Sequence, residues 1–289
     1  QLDLNNVSIF RKIRLAYALN YRTQNPGSIL YTVRNGKGYA KEFSFENIDT
    51  AKDVLNFILE LISKDIEPNV KGKTIFIPDY INYTLPATEK QFCGYFPNGT
   101  SVTVDQDMVV GVNWKNIKGK SIDLDLSLLN ASTKYGWDAN YRSGSGDILF
   151  SGDLTDAGGK NGSTELYYIG KTPKQPLMIM LNYYNYGWDV NKAEAVPFKL
   201  FVAKHRITAI KQNYMVDPNY VLATVNSSIT KRQAILGLIV GQTLYFTQVS
   251  LAQIRSAHNT NYTELSRQYL VNYWTNTISL KEVLEKAGA

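Results

Sequence analysis

The chain is poor in the side chains that most hydrolases and zinc folds rely on. Among its 289 residues there is one cysteine, Cys93, and there are two histidines, His205 and His258. A single thiol excludes an intrachain disulfide and fits a reducing compartment. So small a supply of Cys and His excludes a Cys/His zinc site. No stretch approaches the roughly 18 consecutive apolar residues of a membrane-spanning helix. The longest apolar run, Ile235 to Val240, is broken by Gly237 and followed by Gly241. No signal peptide is visible. Catalytic signatures are missing as well. There is no G-x-S-x-G elbow and no H-E-x-x-H pair, and NGKG at 35–38 lacks the spacing of a phosphate-binding loop. These absences point away from an enzyme.

What is present suffices for a packed core. Apolar residues make up 44% of the chain, the usual share for a globular protein. The formal net charge of +6 permits an anionic partner without requiring one. The chain opens on Gln1 rather than Met. A proteolytically matured virion protein, or a cloned fragment, would open in this way.

The periodicity divides the chain into three parts. Residues 1–84 read as a small α+β unit. A helix is expected over 6–20, and Asn35-Gly36 predicts a hairpin between strands near 28–34 and 38–45. A second helix, capped by Asp49 or Thr50, carries the stripe Val54, Leu55, Ile58, Leu59 and Ile62, which should dock on that hairpin. KTIFIPDY at 73–80 reads as a short strand stopped by Pro78.

Residues 85–250 are almost all strand. Candidates are 101–104, 108–114, 122–129, 147–151, 165–169, 177–183, 198–203, 220–225, 234–240 and 243–249, with Gly241-Gln242 turning the last hairpin. Many short strands separated by Gly, Pro, Asn and Asp predict a β-sandwich. Residues 251–289 return to helix as a C-terminal appendage. One helix opens near Thr263 and carries an aromatic-rich face of Tyr269, Leu270, Tyr273 and Trp274. The last opens on a capping box from Ser279 to Glu282.

The chemistry concentrates between Met108 and Glu165. Ile122, Leu124, Leu126 and Leu128 alternate with Asp123, Asp125 and Ser127. That is the period of a strand with one buried face, and it puts Asp123 and Asp125 together on the outer face, roughly 7 Å apart. Asp153, Asp156 and Glu165 follow in a glycine-rich loop. Carboxylates from a strand and a nearby loop are hard oxygen ligands, which suit calcium. The same residue types are also ordinary on solvated strands and in loops.

Several short motifs here resemble the TerD domain of bacterial tellurite-resistance and stress proteins. They are the strand Val110 to Trp114, the DLDxS strand Asp123 to Ser127, the SGDLT turn Ser151 to Thr155, and the closing acid Glu165. Leu85 to Val104 is similar to the family's lead-in. Pro197 to Ala203 and Ile235 to Phe246 stand where its closing strands do. The likeness spans about residues 85–250. It implies a TerD-like β-sandwich and a non-enzymatic, cytoplasmic calcium-binding module linked to tellurite resistance, stress response or phage-related functions. It implies Asp123, Asp125, Asp153, Asp156 and Glu165 as metal ligands, with Ser127 or a loop carbonyl completing the shell. Family loops carry a dense acidic run where this chain reads AGGKNGST, with Lys160 inside. Fewer carboxylates imply weaker calcium binding.

Two partner readings remain open. Tyr183, Tyr184, Tyr186 and Trp188 lie in NYYNYGWD, and such residues are favoured at protein interfaces. Lys115, Lys118 and Lys120, and separately Lys204, Arg206 and Lys211, would supply phosphate affinity for nucleic acid. The aromatic loop fits a protein partner or self-assembly better than nucleic acid. The alternative to a calcium module is a structural protein of a larger assembly, such as a virion component, using the sandwich as a scaffold without metal.

Overall fold

The computed structural model describes residues 6–27, 29–34, 37–117, 119–130, 132–187, 194–251, 268–269 and 271–289. The Asn35-Gly36 turn, Lys118, Trp188, Thr263 and Leu270 lie outside the described residues. Two compact units emerge: residues 1–91 together with 256–289, and residues 92–255. The C-terminal segment, read from sequence as an appendage of its own, groups with the N-terminal unit.

In the first unit, α1 (Ile9–Gln24) is followed by the hairpin β1 (Ile29–Arg34) and β2 (Lys37–Glu42), then by α2 (Ile48–Val70). The hairpin register pairs Ile29 with Glu42 and Arg34 with Lys37. The apolar stripe of α2 forms as its spacing dictates. Ile58 and Ile62 are buried with Ile13 and Ala16 of α1, and Val54, Leu55 and Leu59 pack against them. The helix opens at Asn47 without a side-chain cap, so neither Asp49 nor Thr50 plays that part. Val283 of the C-terminal helix Leu280–Lys286 closes the same core. That helix is capped by Ser279, whose hydroxyl accepts from the Glu282 amide, as its sequence predicts. A short strand, β3, covers Ile81–Asn82.

Residues 73–78 are not a strand. Ile75 is 44% exposed and Phe76 87% exposed. With no buried face there is nothing to drive pairing, and β-propensity alone does not hold a strand.

The second unit is mainly β and consists of antiparallel sheets in a sandwich arrangement, as the strand spacing predicts. A small hairpin, β4 (Phe92–Cys93) and β5 (Phe96–Pro97), leads in. The remaining strands are β6 (Ser101–Thr103), β7 (Met108–Trp114), β8 (Leu124–Leu129), β9 (Lys134–Tyr135), β10 (Ile148–Phe150), β11 (Ser163–Ile169), β12 (Leu177–Tyr183), β13 (Val196–Lys204), β14 (Val221–Ile229), β15 (Gln233–Val240) and β16 (Thr243–Leu251). One sheet runs β10-β11-β7-β13-β14, and in the other β6-β16-β15-β12-β8-β9 are successive neighbours.

β7 is central in its sheet, and Met108, Val109, Val110, Val112 and Trp114 are all buried. A strand covered on both faces reads as a continuous apolar run, and each such side chain contributes about 1.5–3 kcal/mol. Gly111 interrupts the run for a steric reason. A Cβ there would stand 2.4 Å from the Phe201 ring and 2.8 Å from Leu166 Cβ. Phe201 lies opposite Gly111 on β13, and Leu166 lies opposite it on β11. At the end of this sheet, the carbonyls of β14 are covered by side chains. The Tyr95 hydroxyl donates to Thr224 O, and Gln248 Nε2 donates to Ser228 O at 2.8 Å. Such cover blunts edge pairing.

Candidate metal centre

The site is built on the open edge of β8. This strand pairs with β12 along its whole length but with β9 only at Leu128 and Leu129. The edge ahead of that point needs other partners, since buried backbone groups are costly when unpaired. Side chains of β11, in the opposite sheet, supply them. Leu126 N donates to Glu165 Oε2 at 2.8 Å. The Tyr167 hydroxyl bonds Leu126 O at 2.9 Å and Tyr135 O at 2.8 Å.

Glu165 also reaches the loop after β10, where its Oε1 accepts from Leu154 N at 3.0 Å. It is fully buried. Burial pushes its pKa well up, and the Leu126 and Leu154 amides pull it the other way. One carboxylate thus fixes the backbone beside Asp125 and the backbone beside Asp153. Further bonds hold the loop. Gln212 Nε2 donates to Asp153 O at 2.8 Å, and Ser151 Oγ accepts from Leu166 N at 3.0 Å.

Asp123, Asp125 and Asp153 converge here. Each offers one carboxylate oxygen, and these oxygens lie within 4.8 Å of one another. Asp125 Oδ2 accepts from Asn182 Nδ2 at 2.8 Å, because Asn182 stands opposite Asp125 in the β12 register. Asp123 Oδ1 and Asp153 Oδ1 are buried and have no hydrogen-bond partner. Leaving an ionised carboxylate oxygen buried and unpaired is expensive. The electrostatics register that cost. Burial, with the charge of Asp153 behind it, pushes the Asp123 pKa up to about 6. Burial raises Asp125 to about 7, with Asn182 opposing and Asp123 and Asp153 reinforcing. Burial raises Asp153 as well.

The alternation that predicts this face is present, but its exposure is not. Asp123 is 7% exposed and Asp125 3%. Both faces of β8 are covered, the leucines by the core and the aspartates by the loop that carries Asp153. Asp156 does not join the cluster. It accepts from Asn116 Nδ2 and Ser121 Oγ, each at 2.8 Å, and from Gly158 N at 3.0 Å, and these donors hold its pKa below the usual range. Glu165 is not among the converging ligand atoms either; its two oxygens accept from the Leu126 and Leu154 amides. Ser127 is buried beneath Gly136.

The aromatic loop is divided in the same way. Tyr183 is buried at the end of β12, and Tyr186 packs on it at 5.6 Å between ring centres. Tyr183 therefore belongs to the core and offers no surface to a partner. Tyr184 is exposed, and its ring meets Trp137 edge to face at 5.5 Å. Sequence reading misses Asn182, Trp137 and Tyr141. Trp137 and Tyr141 lie in the run KYGWDANY at 134–141 and Asn182 opens NYYNYGWD, and nothing in either run points to the aspartates.

Among the described residues no helix is long and apolar enough to cross a membrane. No family model matches the chain, and no curated protein matches it. A crystal structure of SAV2460, a protein of unknown function, is similar over 53% of this chain and 94% of that one, at 15% identity and a TM-score of 0.37. The functional reading therefore rests on the site itself.

Proposed function

We propose that the chain is a non-enzymatic, TerD-like module that binds calcium and presents a surface to a partner. The setting we propose is the bacterial cytoplasm, in tellurite resistance, stress response or a phage-related function. One observation carries this reading. Asp123 Oδ1 is buried without a hydrogen-bond partner, beside the carboxylates of Asp125 and Asp153. A divalent cation would satisfy it. Asp123, Asp125 and Asp153 would hold the ion, while Glu165 would fix the two backbone segments that carry them. The donor set is all oxygen and joins a strand to a loop, which favours calcium over magnesium, whose octahedral shell is less tolerant. The test is the thermal midpoint of the chain in EGTA and across a calcium series, with magnesium as control. A ligand of the folded state alone raises the midpoint as its concentration passes the dissociation constant. A flat response up to millimolar calcium would sink the reading.

A second reading has its own support. Phe57, Ile75 and Phe76 in the first unit are exposed apolar side chains, as an assembly contact would require. In that case the chain is a structural component of a larger complex, such as a virion, and the sandwich needs no metal. Light scattering would then find an oligomer whose size is the same in EGTA and in calcium.

A further inference from the structure

Neighbouring antiparallel strands need only about 2–5 residues between them, and a much longer link usually has a task. β13 and β14 are neighbours, yet the whole of 205–220 joins them. This link is a strap laid over the five-stranded sheet. Its base is clasped. His205 N donates to Asp107 O at 2.9 Å, and the His205 ring stacks on Tyr220 at 4.4 Å between centres. Ile207, Ile210, Tyr214 and Val216 then pack with Val109, Leu166, Phe201 and Ala203. Leu166 alternates with Glu165 and Tyr167, which reach β8, so the strap covers the opposite face of the sheet.

The strap is lightly held. Ile207 is buried, but Ile210, Tyr214 and Val216 are only partly so. Among the described residues, no backbone–backbone hydrogen bond ties 206–216 to the sheet. Segments with few buried contacts and no backbone pairing open at low cost. Two side chains at the tip hold this one. Asn213, in left-handed backbone at φ 54, accepts from Thr164 N at 3.1 Å, on the stretch of β11 that β10 leaves unpaired. Gln212 Nε2 donates to Asp153 O at 2.8 Å. The Gln212 stem lies across Gly152, where a Cβ would stand 2.8 Å from Gln212 Cγ. The tip thus rests on the backbone of Gly152 and Asp153, beside one carboxylate of the cluster.

On either side of that point the backbone is pinned without any ion. Ser151 N donates to Leu166 O at 3.0 Å, and Leu154 N donates to Glu165 at 3.0 Å. Asp153 differs. Its Oδ1 is buried with no hydrogen-bond partner, and a cation would tie it to Asp123 and Asp125 on β8. The residue that a cation would fix is therefore the residue whose carbonyl carries Gln212.

We propose that the strap 205–220 responds to occupancy of the aspartate cluster: calcium fixes Asp153, and Gln212 passes this on by holding the strap closed over the sheet. Gln212 is a positioning residue and touches no ion. The proposal rests on the calcium reading above and names the surface that the ion orders. Coupling between two events is reciprocal, so the closed strap in turn favours the bound ion.

Hydrogen–deuterium exchange of the whole chain, read by mass spectrometry in calcium and in EGTA, tests this. Calcium binding is measured separately by calorimetry. The expected result is that calcium slows exchange at 206–216 by about fivefold or more, the lower end of usual couplings. Gln212→Ala should abolish that slowing and weaken calcium binding about fivefold, by the same reciprocity. Met215→Ala, at a side chain of the same strap that is 75% exposed, should change neither. Calcium binding with equal exchange in calcium and in EGTA overturns the strap proposal alone. No calcium binding overturns it together with the reading beneath it. A Gln212→Ala chain in which calcium still slows the strap also overturns it.

Discussion

Glu165 and Leu126 belong to different sheets, and the carboxylate of one accepts from the amide of the other at 2.8 Å. The bond fills a gap in the ladder, because β9 reaches β8 only at Leu128 and Leu129. The second oxygen of Glu165 takes the Leu154 amide at 3.0 Å. A strand and a loop far apart in sequence are thereby pinned to one group. Asp125 precedes Leu126 and Asp153 precedes Leu154, so the spacing of the aspartates depends on Glu165 without its touching them.

Removing that carboxylate should therefore damage both stability and the site. Glu165→Ala leaves the buried Leu126 amide unpaired, at about 1–3 kcal/mol, and the half-buried Leu154 amide unpaired at a smaller cost. Glu165→Gln keeps one acceptor and should lose about half as much. Denaturant melts of both variants check the ranking. Equal losses would mean that only one of the two bonds matters.

The metal-free chain should lose stability as pH rises. Asp123 and Asp125 have folded-state pKa values raised to about 6 and about 7, against about 4 when unfolded. Between those values the folded state binds more protons than the unfolded state. The stabilisation is complete below about pH 4 and is lost as pH climbs through 7. In EGTA, the midpoint should be higher at pH 5 than at pH 7.5. Saturating calcium should remove or reverse that slope, because ligation favours the ionised carboxylates. A midpoint in EGTA that rises from pH 5 to 7.5 would contradict the burial of these groups.

Asp123→Asn should separate stability from function. It removes a buried charge that has no hydrogen-bond partner on Oδ1. At pH 7.5 without metal, the variant should melt about 2–4 °C higher, the effect of roughly 1 kcal/mol in a domain of this size. The calcium-dependent rise should disappear. A variant that melts lower in EGTA would show that Asp123 is satisfied in some other way.

Gly111→Ala should destabilise the sandwich with no effect on the aspartates. The new methyl would meet Phe201 and Leu166, and overpacking costs about 1–3 kcal/mol. The measurement is a denaturant melt with calcium affinity alongside. Wild-type stability would mean that the Phe201 ring turns aside freely.

Much of this protein is written in its sequence. Alternation and turn residues located the strands of the sandwich, because a strand with a buried face must repeat every second residue. The i, i+3 and i+4 stripe of α2 and the Ser279 cap were legible for the same local reason. The alternation also placed Asp123 and Asp125 on one side of β8. It could not show that this side is covered, since cover comes from a loop some 30 residues away in the chain. Which acids converge was likewise decided by tertiary structure. Asp156 is satisfied by Asn116 and Ser121, and Glu165 by two amides, while Asp153 is left facing Asp123 and Asp125. Local pattern fixes the direction of a side chain from its own strand. What that side chain meets depends on long-range contacts, whose partners no local period records.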